Sequence, residues 1–317
     1  PFIDAKAATD MGPYFKKYNW NSILIPAAVK ALERNGTQWG APINLRAVTF
    51  HYRKDLFEKA GVKVPGTMAE LEAACDKFKA QNVTCLDTGG TFGWHQMRVF
   101  DFFLEHTAGP DLHDQLLAGR ASWDRAEVVA AFALLKKWHD KGWFPLGYGG
   151  LSPNQAQQLM LQGKAAMIPE GDWFVPTAVK AGLTDANYGF FAPPTDRKPL
   201  RVDGFAEQYM IAAQSKNADA VAHFMNWWLQ PATQNKHYMV HGSSATQGAT
   251  PNAAENPLGA AYKKMVAGYG TYTIMDQAFS KEQMDTGYFR LQTAVTAGQV
   301  TPEAAAKELQ QVLGAKP

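Results

Sequence analysis

The polar residues that could act as catalysts do not assemble into a complete motif. His237 and His241 stand four apart, so a helix would put both rings on one face, but no glutamate pattern beside them completes a zinc-protease motif. They read as an ordinary histidine pair. No G-x-S-x-G nucleophile elbow occurs, and the glycine stretches GTQWG and GGTFG lack both the Lys-Ser/Thr ending of a phosphate loop and a complete dinucleotide fingerprint. Asp101 and Glu105 would share a helical face and imitate the carboxylate pair of glycoside hydrolysis. That chemistry also needs a defined opening between the two and one raised acid pKa, neither of which sequence supplies. The expectation is no catalytic set, no metal and no cofactor.

What the sequence does offer is aromatic rings set among hydrogen-bonding groups. Trp94 lies between Phe92-Gly93 and His95-Gln96, Trp173 follows Gly171-Asp172, and Asp203-Gly204-Phe205 runs on to Glu207, Gln208 and Tyr209. Sugars suit such places, because their C–H faces cover an aromatic ring while their hydroxyls meet carboxylate and amide partners. Arg46 and Asn44 would return donors, and His51 completes the candidates from that strand-like region. Each has a plainer alternative: core or interface packing for the tryptophans, a helix cap for Asp172, a turn for Asp203, an ion pair for Arg46, and solvent exposure for His51 and Glu207.

The elements that must position these residues are legible in part. Thr67 with Glu70, Asp124 with Glu127, Ser152 with Gln155, and Thr301 with Glu303 read as helix starts ahead of apolar residues at helical spacing, and Gly142 as a stop. Further helices are expected over 21–34 and 217–229, with Trp228 packed in the core, and an Asn35-Gly36 turn follows the first of these. Short apolar runs at 47–52, 83–86, 165–168 and 209–213 read as strands. Strands alternating with helices indicate an α/β chain with largely parallel sheets.

Size and charge narrow the function classes. The 317 residues exceed one usual core, so two lobes are expected, and a chain this long needs no covalent staple. A near balance of 31 basic and 29 acidic side chains, without a basic block, gives no argument for nucleic acid. No apolar run is long enough to span a bilayer. Cys75 and Cys85 show neither redox nor metal spacing; two buried free thiols are the favoured reading and a helix-to-strand disulfide the alternative.

Four segments stand in an order that resembles the extracellular solute-binding proteins of sugar ABC importers. They are GAPINLRAVTFHYRKDLFEKAGVKVPGTMAELEAACDKFKA at 40–80, GGTFGWHQ at 89–96, LMLQGKAAMIPEGDW at 159–173 and AAQSKNADAVAHFMNWWLQP at 212–231. GKAAM followed shortly by GDW is the most specific of them. His51-Tyr52-Arg53-Lys54 replaces the family's commoner Tyr-Asn-Lys, and Met68 stands where Trp is common. FKKYNW, GW and GDW are most similar to glucose- and oligosaccharide-binding members.

The resemblance implies a two-lobed periplasmic-binding-protein-like α/β fold with a hinge and a central ligand cleft. It implies the remainder of an N-terminal lobe over 1–49 and 205–250, a C-terminal lobe over 51–203 and 251–317, and crossings near 50, 204 and 250. Trp94 and Trp173 would line the C-terminal side of the cleft, Asp203 through Tyr209 would lie by a crossing, and His241 with Ser243 to Thr246 would bound another edge. Relatives carry further strand-helix units ahead of the segment matching DMGPYFKKYNW, so ligand contacts from that portion are expected to fall outside this sequence. The implied partners are a small sugar and the membrane permease of an ABC importer, for a monomer in the periplasm or outside the cell, with lipid anchoring left open. Alternatives are a receptor for a polyol, a glycerophosphodiester or a peptide-like solute, and a carbohydrate-active hydrolase.

Overall fold

The computed structural model describes residues 2–3, 5–237, 243–250, 254 and 256–314. The chain divides into two compact units, Pro1–Ala47 with Gly204–Met265 and Val48–Asp203 with Val266–Pro317. Each is built from two separate stretches of sequence.

In the first unit the expected helix over 21–34 is replaced by a 3-10 turn at Trp20–Ser22 and a short helix at Pro26–Ala31. Pro26 is the reason: it has no amide to donate, so it is tolerated at a helix start but not in mid-helix. The Asn35-Gly36 turn forms as expected, joining β1 (Glu33–Arg34) to β2 (Thr37–Gln38). Asn35 and Gly36 sit at φ 54 and 74, the left-handed pair that matches the twist of a two-residue hairpin.

The core of this unit gathers Met11, Phe15, Trp20, Leu24, Ala41, Ile211, Ala222, Met225 and Leu229. The helix Ala218–Trp228 contributes Ala222 and Met225 to it, while Trp228 is only partly buried, and Phe224 and Trp227 are 52% and 47% exposed. Trp228 is therefore less a core residue than its apolar neighbours suggest. The helix turns its small and unbranched side chains inward because the wall it meets is already filled by Phe15 and Trp20.

The second unit carries most of the sheet. Strand order is β4 (Thr84–Leu86), β5 (Ala165–Glu170), β3 (Ala41–Arg53), β7 (Arg201–Tyr209), β8 (Gly270–Thr273), with β6 (Tyr188–Phe191) paired to β3. β4 and β5 run parallel, but β3 is antiparallel to both β5 and β6. The sheet is thus mixed rather than largely parallel. Alternation of strand and helix in sequence does not say which strand enters a sheet from the opposite end. The strand expected at 209–213 also moves: β7 ends at Tyr209, and beyond it Ala212 makes only a single bridge to Ala8.

Helices of this unit start largely where capping chemistry predicts. Thr67 with Glu70 and Ser152 with Gln155 form complete capping boxes, and Thr301 accepts the Ala304 amide. Asp124 does not cap. The Ala126–Asp140 helix begins one residue later with Arg125 at its N-cap and no side-chain cap, while the Asp124 amide donates to Ser122 Oγ at 3.2 Å. Phe100, Phe103, Phe132, Trp138, Trp143 and Tyr288 fill the core between these helices.

Cys75 and Cys85 are joined in a disulfide, which corrects the free-thiol expectation. Cys75 lies on the buried face of the Met68–Ala80 helix, and a tight turn with Asn82 at φ 56 brings the chain back into β4 directly beneath it. The two Cα atoms end 4.9 Å apart, within bridging distance.

Candidate functional site

In the second unit the parallel strands β4 and β5 end side by side, and the residues just beyond their C-terminal ends form the polar centre of the unit. Ligand sites of α/β sheets collect at such strand ends. β5 delivers Glu170, fully buried, followed by Gly171, Asp172 and Trp173. β4 leads through Asp87, Thr88 and the two glycines 89 and 90 to the Trp94–Ala108 helix. Gly89 and Gly90 are required there, because a Cβ would come within 2.8 Å of the Leu151 carbonyl and 2.6 Å of Gly149 Cα.

Trp94 and Trp173 both face one guanidinium. Arg98 lies one helical turn after Trp94, and its Cζ is 4.6 Å from the Trp94 ring centroid and 5.0 Å from that of Trp173. Arg98 Nη1 donates to the Pro169 carbonyl at 3.2 Å and to Glu170 Oε2 at 2.8 Å. The same Oε2 accepts Trp173 Nε1 at 2.6 Å, and Oε1 accepts Gln157 Nε2 at 2.7 Å. Trp173 folds back over its own turn: a Cβ on Gly171 would stand 2.2 Å from the indole. Both tryptophan rings remain partly exposed.

His95 completes the network. Its Nδ1 accepts the Gly89 amide at 3.0 Å, which puts the ring proton on Nε2, 3.5 Å from Glu170 Oε1. Burial pushes the His95 pKa down to about 4 against the pull of Glu170. Burial also works to raise Glu170, but Arg98, His95, Gln157 and Trp173 together hold it below the usual carboxylate range. At neutral pH the cluster therefore combines one cation, one carboxylate and a neutral imidazole.

The other expected residues fall in several places. Asp172 is fully buried within a 3-10 turn, Asp172–Phe174, whose N-cap is Gly171. His51 is enclosed by Phe174, Tyr188 and Phe190, with its Nδ1 on the Tyr188 hydroxyl, and burial pushes its pKa down to about 3. Asp203 is 3% exposed in β7, and neither carboxylate oxygen has a hydrogen-bond partner among the described residues. Burial first, and then the Asp101 carboxylate, raise its pKa well above the ordinary value.

In the first unit Asn44 and Arg46 of β3 both donate to Glu207 of β7, the Arg46 Nε contact being 2.8 Å. Phe205 and Glu207 are partly exposed, and Tyr209 is 39% exposed at the strand end. His241 lies outside the described residues.

The carboxylates of the hydrolase alternative are spent on separate contacts. Asp101 accepts the Tyr288 hydroxyl and, at 3.2 Å, the Met275 amide, while Glu105 is bound to His113 at 2.6 Å and to Arg201 at 2.9 Å. Among the described residues no group of three His, Cys, Asp or Glu side chains is placed to hold a metal ion. Nor is any helix among them long and apolar enough to cross a membrane.

Sequence reasoning missed Arg98, Glu170 and His95. A signal for the first existed: Trp94 and Arg98 are four apart on a helix, the spacing at which side chains meet. Nothing in sequence joins β5 to that helix.

Residues 1–235 match the family described as bacterial extracellular solute-binding protein. A probable sugar-binding periplasmic protein of Brucella suis biovar 1 is 25% identical over 265 residues, covering 79% of this chain and 59% of the relative. A chitin oligosaccharide binding protein superposes with a TM-score of 0.89 at 22% identity, covering 98% of this chain and 79% of the other. A structure from work on xylan utilization by the thermophilic bacterium Caldanaerobius polysaccharolyticus reaches 0.87 at 26% identity, covering 98% and 81%. The chain spans 40% and 59% of the length of the first two curated relatives it matches. With three quarters of its length inside that family match and the same α/β architecture in solved relatives, the chain belongs to the bacterial extracellular solute-binding proteins.

Proposed function

We propose that this chain binds a small uncharged carbohydrate outside the cytoplasmic membrane and hands it to the permease of an ABC importer, without chemical change. The observation that carries this reading is the pair of partly exposed indoles, Trp94 and Trp173, gathered about Arg98 at the ends of β4 and β5. Indole faces accept the C–H surface of a pyranose, and Asp and Glu side chains accept its hydroxyls. The arginine of the cluster is already paired with Glu170, which suits a neutral saccharide better than a phosphorylated one.

Asn44, Arg46, Glu207, Phe205 and Tyr209 would supply the contacts of the first unit, with Asp172 and Asp203 as further polar candidates. Binding would favour a closed arrangement of two lobes only through contacts that are better in that state. The chain passes between its units within β3, within β7 and after Met265, and a hinge would act at these crossings. Relatives named for sugars and for chitin oligosaccharide support the ligand class. The receptor would work as a monomer in the periplasm or at the cell surface.

Calorimetric titration of the full mature protein with glucose, xylo-oligosaccharides and chito-oligosaccharides tests this. At least one should bind with submillimolar affinity, and Trp173→Ala should cost about 1–3 kcal/mol of that binding. A folded protein that binds none of them refutes the carbohydrate reading; unchanged affinity in Trp173→Ala removes that ring from the site.

A further inference from the structure

We infer that Arg98 is the positioning residue of the tryptophan pair, a guanidinium that sets the planes of Trp94 and Trp173 for a saccharide it need not touch. The inference rests on the reading of those two rings as carbohydrate contacts. Trp94 heads a helix reached from β4 and Trp173 sits in a turn after β5, so the paired strands bring the two residues together but leave the planes of their rings to be set by side-chain contacts. Arg98 supplies such a contact to both: its Cζ is 4.6 and 5.0 Å from the two ring centroids, while its own side chain is only 7% exposed.

Anchoring follows from Glu170, whose side chain is fully buried. Its Oε2 receives Arg98 Nη1 at 2.8 Å and Trp173 Nε1 at 2.6 Å, so one oxygen fixes both the cation and the ring that lies against it. The Pro169 carbonyl takes a second bond from the same Nη1. A planar guanidinium can hydrogen-bond at its edge and stack through its faces at once. Lysine cannot, because its ammonium is a point charge without a face. Ordering the rings in advance removes a cost that the ligand would otherwise bear on binding.

Two variants test this: Arg98→Lys, which keeps the charge, and the charge-free pair Arg98→Met with Glu170→Gln, which avoids leaving a buried carboxylate alone. Near-ultraviolet circular dichroism and tryptophan emission are read without ligand, and titrations use chito- and xylo-oligosaccharides. We expect altered indole signals and an affinity lowered about tenfold or more in both variants. In a Trp173→Ala background the same Arg98→Lys change should cost less than about threefold, since one of the rings it orders is gone.

Affinity within about twofold of wild type in Arg98→Lys, or a loss that adds in full to that of Trp173→Ala, overturns the inference. Failure of both variants to fold also overturns it, because Arg98 would then hold the core rather than the rings. If the wild type binds no saccharide, the carbohydrate reading fails by itself. The indole signals then still decide whether Arg98 orders the pair.

Discussion

Reduction of the Cys75–Cys85 bond should destabilise the second unit by a predictable amount. The bridge closes a loop between residues ten apart, for which the chain-entropy relation gives about 2.7 kcal/mol at 25 °C. Both cysteines are essentially inaccessible, at 0% and 1% exposure, so reduction leaves two small apolar side chains in place and adds little cavity cost. The assay is urea unfolding of oxidised and reduced protein, followed by far-ultraviolet circular dichroism and tryptophan emission. The buried tryptophans of the second unit, Trp123, Trp138 and Trp143, report on the unit that carries the bridge, and because the chain forms two compact units, two transitions are to be fitted. The second-unit transition should move to lower urea by about 2–3 kcal/mol while the first stays. A Cys75→Ala, Cys85→Ala double variant should reproduce the reduced protein. Equal stability of oxidised and reduced forms, or free thiols titrated in the unfolded, unreduced protein, would refute the reasoning.

Two further outcomes follow from the site. His95 has a folded pKa of about 4 against 6.5 ordinarily, so the unfolded chain takes up its proton first. Its contribution to stability is complete above about pH 6.5 and is lost as pH falls toward about 4, on the order of 3 kcal/mol at about 1.4 kcal/mol per unit. His95→Asn, which keeps an acceptor for the Gly89 amide, should make the stability profile less steep between those values without flattening it, because buried His51, lowered to about 3, acts over the same range; denaturant melts at several pH values check it, and an unchanged slope would exclude His95 as a source. Gly171→Ala should displace Trp173 without straining the backbone, because the φ of Gly171 is −111 and only the indole stands in the way. Saccharide affinity should fall as in Trp173→Ala, by about 1–3 kcal/mol, with a melting temperature lowered no further than in Trp173→Ala, since both lose the bond to Glu170; retained affinity would show that the ring has another acceptable seat.

Legibility in the sequence followed the range of each interaction. Thr67 with Glu70 and Ser152 with Gln155 could be read because a capping box closes within four residues. Asn35-Gly36 was readable for the same reason. Asp124 misled: it has the side chain of a cap, but the helix starts one residue further on with Arg125 at its N-cap. The site was half legible: Trp94 and Trp173 stand out beside glycines, but Arg98 and Glu170 look like ordinary charged residues until β5 and the Trp94–Ala108 helix are brought together. Asp203 illustrates the converse. Beside Gly204 it reads as a turn residue, whereas it is buried within a strand that sequence places eight residues too late.

The arrangement of the units also bears on how the molecule is made. The second unit begins at Val48, but its sheet needs β8 and its helical layer needs Pro302–Leu313, which packs against Ala126–Asp140. A chain emerging from its N-terminus therefore cannot finish that unit until the Pro302–Leu313 helix has appeared. During that interval the apolar face of Ala126–Asp140, with Phe132 and Leu135, lacks its final cover. A truncation that removes the Pro302–Leu313 helix should thus be recognised by quality control as a failure of the second unit.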